Sequence, residues 1–258
     1  MELSVQIENK IKKSLNTVNS DIESSIGLPN KFYTSKEIFE YEKETVFSNN
    51  WCGIAFGSDI PDVGDIKALE FLNIPLIIVR TEKEQIEVFE NVCRHRGMIL
   101  VEENAKKKKH IRCPYHNWCY GIDGKLVSTP HVGGIGKHSH KGVKKNELGL
   151  NKVRSHVWND TIFVNITGNA LSFDDHFSRL KKRWSDFDQP MFFGGNDSGF
   201  SMRLNANWKL AIENYCESYH LPSVHPELNK TSKLSDHYHI CESENYSGQG
   251  SFLYNQIS

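Results

Sequence analysis

At the N-terminus the apolar positions follow a helical step. Leu3, Ile7, Ile11, Leu15, Val18 and Ile22 recur every three or four residues and predict an amphipathic helix within Met1–Ile26. Tyr33-Thr34-Ser35-Lys36-Glu37 reads as a cap, with Ser35 or Thr34 opening a second helix that runs to about Asn49. After Trp51 the texture changes to short β-rich runs bounded by Gly, Pro, Asn and Asp: Leu76–Arg80, Ile86–Phe89, Lys125–Val127 and Ile162–Val164. Ile122-Asp123-Gly124-Lys125 reads as a tight hairpin turn. From Leu171 the pattern is mixed: Asp174–Phe187 reads as helical, Phe200–Leu204 as a strand and Trp208–Leu221 as a further helix. The expected organisation is a helical segment at 1–49, a small antiparallel β domain at 50–168 and an α/β segment at 169–258.

Composition limits what this frame can be. The 258 residues are 38% hydrophobic, enough for a sizeable core in one or two domains. Thirty-one Lys and Arg against 32 Asp and Glu leave a net charge of -1, which argues against organisation around a nucleic-acid or membrane field. No apolar run approaches the length of about 18 residues that spans a bilayer, and the polar, mixed-charge start lacks the apolar stretch of a signal peptide. Six cysteines then suggest a reducing, cytoplasmic setting, where Cys more often binds metal than forms disulfides. The run Lys106–Lys109 reads as a solvated loop. His131, His138 and His140 sit in a Gly-rich surface loop that lacks the strand-to-helix setting of a dinucleotide fingerprint.

The most specific chemistry lies in Cys93-Arg94-His95 and Cys113-Pro114-Tyr115-His116, separated by 17 residues. Two thiolates and two imidazoles suit a structural zinc site. They equally suit a [2Fe-2S] cluster whose irons are held by two Cys and two His, where neutral imidazoles raise the reduction potential. With Arg96, Gly97, Trp118 and Tyr120, the two pairs resemble the Rieske domain of ring-hydroxylating oxygenase large subunits. The extra cysteines of the cytochrome-complex Rieske type are missing: Met98 and Tyr115 stand in the loops, and Cys119 reads as a packed free thiol. Cys52, Cys216 and Cys241 are expected to be packed thiols too.

A second constellation follows in Glu213-Asn214-Tyr215-Cys216-Glu217-Ser218-Tyr219-His220, with His225 beyond Pro222. On a continuous helix, Glu213 and Glu217 fall about 40° apart and Glu217 and His220 about 60° apart, so the three share a face. Trp208, Ile212, Tyr215 and Tyr219 form a neighbouring apolar stripe expected to pack on a sheet. Pro222 is expected to end or distort the helix, so that His225 is presented from the following turn. Two close imidazoles with a carboxylate to follow are the material of a facial triad for non-haem Fe(II). The run resembles the mononuclear-iron motif of the same oxygenase family.

That resemblance carries several expectations. The fold is α+β: an antiparallel β Rieske domain followed by the first part of a helix-grip catalytic domain. Cys93, His95, Cys113 and His116 hold the cluster, with the two imidazoles facing outward, and His220 and His225 hold the mononuclear Fe(II). Glu217 is the carboxylate linking the two centres, and Glu at that position looks more like the carnitine and quaternary-ammonium monooxygenases than the ring dioxygenases. Glu213 and Asn214 support the iron ligands. Electrons come from NAD(P)H through a separate reductase or ferredoxin and cross between subunits of a homotrimer. A small organic substrate is then hydroxylated or oxidatively demethylated with O2. A third, carboxylate ligand belongs far downstream of His225, yet only 33 residues follow it. Asp236, Glu242 and Glu244 lie outside any matching motif, so a truncated or partial oxygenase is expected, with an electron-transfer-only Rieske protein as the alternative. His237 and His239 are expected to be exposed.

Overall fold

The structure is a computed structural model. It describes every residue except 1, 17, 19, 20, 22, 192, 193, 195–198, 200, 244 and 254–258, and every side chain but those and residues 2–7, 10, 242 and 243. Residues 43–171 form one compact unit; residues 1–42, 172–189 and 194–258 form another.

The first unit is built on a six-stranded antiparallel sheet. Its strands are β1 (Cys52–Phe56), β2 (Ile66–Phe71), β3 (Ile74–Glu82), β4 (Gln85–Glu90), β8 (Lys152–Trp158) and β9 (Thr161–Asn165), in the order β1-β9-β8-β4-β3-β2. Leu76, Ile77, Ile78 and Val79 are all fully buried, because alternate side chains of β3 enter different cores. Leu76, Ile78 and Val88 pack with Ala55, Ile162 and Val164 on one face. Ile77, Val79 and Phe89 pack on the other against Cys93, Ile111, Cys113, Trp118 and Tyr120. That second core joins the large sheet to a small one of β5 (His110–Arg112), β6 (Cys119–Gly121) and β7 (Leu126–Ser128). The turn at Ile122–Lys125 is closed by Gly121 N–H donating to Lys125 O and Gly124 N–H to Gly121 O. Gly124 is required there: its φ is +78° and an added Cβ would lie 2.6 Å from the Phe89 ring.

The second unit departs more from its sequence pattern. The first helix, α1, covers Glu2–Leu15, with Ile11 and Leu15 half-buried; the expected stripe residues Leu3, Ile7 and Ile22 lie outside the described side chains. A short turn, α2 (Lys31–Thr34), leads to α3 (Lys36–Glu42), and a π-helical segment, Lys43–Phe47, takes the place of the rest of the predicted second helix. Asp174–Phe187 is three pieces: α4 (Phe173–His176), α5 (Ser178–Arg183) and a 3₁₀ turn at Ser185–Phe187. The strand expected at Phe200–Leu204 is not formed at 201–204, and Phe200 itself lies outside the described residues.

The helix expected over Trp208–Leu221 is broken. Asn207 caps α6 (Trp208–Cys216) by accepting from Lys209 N–H, but Glu217 is extended, with φ -128° and ψ 153°. The chain resumes as α7 (Leu221–Val224) and α8 (Pro226–Thr231), then forms a hairpin of β10 (His237–Ser243) and β11 (Tyr246–Ser251). The expected apolar stripe is not buried on a sheet: Tyr215 is 77% exposed and Tyr219 85%. Of the stripe only Trp208 is half-buried, its Nε1 donating to Glu42 at 2.9 Å, beside buried Lys209, which forms a bidentate pair with Glu42 at 2.6 and 2.9 Å.

Candidate metal centres

The two Cys/His pairs sit on twin loops. In the first, Cys93 N–H donates to Met98 O and Gly97 N–H to Cys93 O. In the second, Cys113 N–H donates to Trp118 O and Asn117 N–H to Cys113 O. Each loop turns back at a left-handed residue four positions after its Cys: Gly97 at φ +71° and Asn117 at φ +55°. Asn is among the few side chains that tolerate this conformation, so Asn117 does in the second loop what Gly97 does in the first. The sequence signal was an Asn directly after His116, and motif spacing alone passed over it.

These loops bring all four expected ligands together. Cys93 and Cys113 are 2% and 1% exposed on the apolar floor. The rings of His95 and His116 lie 4.6 Å apart, and His95 stacks on Trp118 at 4.7 Å and 6°. Tyr120, fully buried, places its hydroxyl 3.3 Å from Cys93 Sγ and accepts from Arg94 N–H at 3.1 Å. Burial is the main cause raising the pKa of the Cys93 thiol, and the adjacent Cys113 thiol adds to it. Burial, then the neighbouring His116 and Arg96, lower that of His95.

His116 Nδ1 is buried without a hydrogen-bond partner, the one such side-chain atom among the described residues. A buried imidazole nitrogen left bare costs free energy unless something else fills its lone pair. Two ligands per iron, with sulfide completing each, is what a Cys2His2 [2Fe-2S] cluster demands. The residues present therefore fit that cluster.

In the second constellation, His220 directly precedes α7 and His225 directly follows it, so one short turn brings their rings to 5.3 Å at 75°. Pro222 does not end the helix, which stops at Cys216; it sits in the first turn of α7, and His225 stands beyond that turn. The shared helical face does not form, since Glu217 has left the helix; it reaches His220 by folding back. Glu217 Oε1 lies 2.5 Å from His220 Nδ1, and Oε2 accepts from His220 N–H at 3.3 Å. The hydrogen bond from His220 is the leading cause lowering the Glu217 pKa. With Nδ1 engaged, Nε2 of His220 is the nitrogen left for a metal.

Glu213 does not support the histidines as expected: it accepts from Tyr33 Oη at 2.8 Å. Asn214 is exposed. Asp236 lies in a 3₁₀ turn, and the Glu242 side chain and Glu244 lie outside the described residues, so the described residues supply two imidazoles and no third ligand. His239 is exposed as expected, but His237 is half-buried, between Ser232 and Gln249. Cys119 is buried at 2%, and burial raises the half-buried Cys52 thiol to about 11. Cys241, expected to be packed, is exposed. Lys106 and Lys107 are paired with Asp65 and Asp62, so only part of that run is merely solvated. The His131–His140 loop is exposed and holds itself by imidazole contacts, His131 and His138 lying 5.0 Å apart.

Comparison with known proteins agrees with this geometry. Residues 50–145 match the Rieske [2Fe-2S] domain family, and residues 195–256 match the ring hydroxylating alpha subunit (catalytic domain) family. The carnitine monooxygenase oxygenase subunit of Escherichia coli (strain K12) is 29% identical over 212 residues, 82% of this chain and 55% of that protein. The glycine betaine monooxygenase oxygenase subunit of Pseudomonas aeruginosa (strain UCBPP-PA14) is 31% identical over 207 residues, 80% of this chain and 46% of that protein. A crystal structure of the quaternary ammonium Rieske monooxygenase CntA superposes with a TM-score of 0.72 at 26% identity, covering 88% of this chain and 62% of that one. The chain thus spans about half the length of the curated relatives it matches. It joins a Rieske antiparallel β domain to a mixed helical catalytic segment, and those two domains imply a Rieske cluster and a mononuclear iron. With both motifs in place, the chain carries a Rieske [2Fe-2S] domain followed by a segment of the ring hydroxylating alpha subunit catalytic domain, and over most of its length it is similar to the oxygenase subunits of Rieske monooxygenases.

Proposed function

We propose that the protein acts as the terminal oxygenase component of a Rieske-type system on a small quaternary ammonium compound. In this reading residues 50–168 are the electron-accepting domain and residues 169–258 belong to the oxygen-activating one. Cys93 and Cys113 hold one iron of the cluster, and His95 and His116 hold the other. His220 and His225 provide two ligands of the mononuclear iron. When bound, the cluster supplies single electrons and the mononuclear iron supplies oxygen activation.

The remaining steps belong to this chain's own side chains. With Cys93 a thiolate, Tyr120 donates a hydrogen bond to its Sγ, and the Tyr120 oxygen accepts from Arg94 N–H. Trp118 fixes the plane of His95. Glu217 holds the proton of His220 Nδ1, turning Nε2 to the metal, and offers its carboxylate to the subunit that delivers the electron. A reductase fed by NAD(P)H and a homotrimeric assembly complete the system, in a reducing compartment such as the cytoplasm. Among the described residues no helix is long and apolar enough to cross a membrane. The carnitine and glycine betaine relatives and the Glu at 217 support the quaternary ammonium branch.

The observation that carries the reading is the bare, buried Nδ1 of His116 beside two buried thiols and a stacked imidazole. The rival reading is an electron-transfer-only Rieske protein. Iron analysis separates the two. His220→Ala and His225→Ala are expected to reduce mononuclear Fe(II) binding while leaving the cluster's visible spectrum unchanged. Equal Fe(II) uptake by wild type and both variants would refute the oxygenase assignment.

A further inference from the structure

Gln249 lies on β11 and points its amide at the end of α6. Its Nε2 donates to Tyr215 O at 3.0 Å and to Glu217 O at 3.3 Å, two carbonyls where the helix runs out. Because both acceptors are backbone carbonyls, the amide can only be oriented with nitrogen toward them. Its Oε1 then faces His237 Nδ1 at 3.0 Å, so His237 must carry its proton on Nδ1. That leaves His237 Nε2 bare, 2.8 Å from Ser232 Oγ, whose hydroxyl donates to it. Ser232 is 3% exposed. The result is a chain in which every proton has a defined place: Ser232 to His237, His237 to Gln249, and Gln249 to the carbonyls of Tyr215 and Glu217.

We propose that His237 and Gln249 are positioning residues for the second metal centre. They fix the extended backbone of Glu217, and through it the carboxylate that orients His220. Among the described residues, no hydrogen bond joins either of them to His220 or His225. They act by holding the carbonyl of the residue whose side chain grips His220 Nδ1 at 2.5 Å. That hold sits where α6 stops at Cys216, although the apolar pattern of the sequence continues the helix through Tyr219. One more turn would swing Glu217 onto the helix face and away from its present grip on His220. The hairpin is thus a stop placed 32 residues downstream of the carboxylate it sets. The proposal rests on His220 and Glu217 serving the iron centre, and it adds residues that no motif contains.

The test uses the full chain, with its cluster oxidised, and four forms: wild type, Gln249→Glu, His237→Gln and His237→Asn. Asn places an amide nitrogen where His Nδ1 stood and keeps the bond to Gln249; Gln places it near Nε2 and loses that bond. Long-range proton–nitrogen spectra of the imidazoles report which ring nitrogen carries hydrogen without any mononuclear metal. Wild type and His237→Asn are expected to keep His220 protonated at Nδ1, whereas Gln249→Glu and His237→Gln are expected to lose that preference. Fe(II) titration should follow the same split, with affinity down about 10- to 100-fold in the latter two and near wild type in His237→Asn. An unchanged His220 tautomer in Gln249→Glu and His237→Gln would overturn the proposal. An altered tautomer with no Fe(II) binding even in wild type would leave the brace standing and sink the iron assignment instead.

Discussion

Replacing Tyr120 by Phe removes one hydroxyl from the floor of the first metal centre. The ring is fully buried, so the substitution conserves shape and leaves no path for water to take the hydroxyl's place. The direction of its hydrogen bond follows from the acceptor: a Cys93 thiolate holding iron has no proton to give, so the hydroxyl donates to Sγ at 3.3 Å while its oxygen accepts from Arg94 N–H at 3.1 Å. Burial raises the Tyr120 pKa, keeping the group a donor at any working pH. A hydrogen bond to a charged acceptor contributes about 1.5–3 kcal/mol, and reduction would make the cluster one charge more negative. If about 1 kcal/mol of that contribution distinguishes the reduced from the oxidised cluster, its loss lowers the one-electron potential by about 40 mV. The sign is negative because the bond favours the more negative, reduced form. Stability should fall too, by about 1–3 kcal/mol, since Arg94 N–H loses its acceptor. A redox titration of both proteins, followed by the reduced cluster's paramagnetic signal at one pH, checks the shift. A potential unchanged to within about 10 mV, or moved upward, would refute the reasoning.

Other perturbations act on parts that hold the sites in place. Glu42→Gln strands the Lys209 ammonium in a site where both side chains are 10% exposed, so urea unfolding of the second unit should lose about 3–5 kcal/mol. A loss below about 1 kcal/mol would show the pair to be incidental. Gly124→Ala forces a side chain into φ +78° against Phe89 and should lower the thermal midpoint of the first unit; an unchanged midpoint contradicts the turn assignment. Burial raises the Asp65 pKa, but the Lys106 ammonium and the N–H groups of Lys107 and Asp62 outweigh it and hold the carboxyl below its ordinary range. A folded pKa below the unfolded value near about 3.9 stabilises at higher pH and is lost as pH falls through the folded pKa. The stability gap between wild type and Asp65→Asn should therefore be constant near neutrality and close on acidification below about pH 4. A gap that widens with acid would reverse that sign.

What the sequence revealed was local or alternating. Leu76–Val79 read as a β run because neighbouring positions in a strand face opposite cores, and both cores here are apolar. The Cys93/His95 and Cys113/His116 pairs were legible because each lies within a single turn. What escaped depended on distant partners. Nothing within Trp208–Leu221 reveals that Gln249 will meet the carbonyls of Tyr215 and Glu217, so periodicity extended the helix through Glu217. His237 looked like a surface residue because its two partners, Ser232 and Gln249, come from a turn and the opposite strand. The stripe of Trp208, Ile212, Tyr215 and Tyr219 is apolar, but an apolar face does not say where its cover lies: Trp208 is half-buried against Glu42, and the other three are exposed.

The account turns on the cluster that the buried Nδ1 of His116 and the thiols of Cys93 and Cys113 are arranged to hold. The direct measurement is iron, sulfide and zinc analysis of the purified chain, with the paramagnetic spectrum of its dithionite-reduced form. The account predicts a red-brown protein with acid-labile sulfide matching the cluster iron and a rhombic reduced signal, all lost in His116→Ala. A colourless chain carrying one zinc and no sulfide would contradict it.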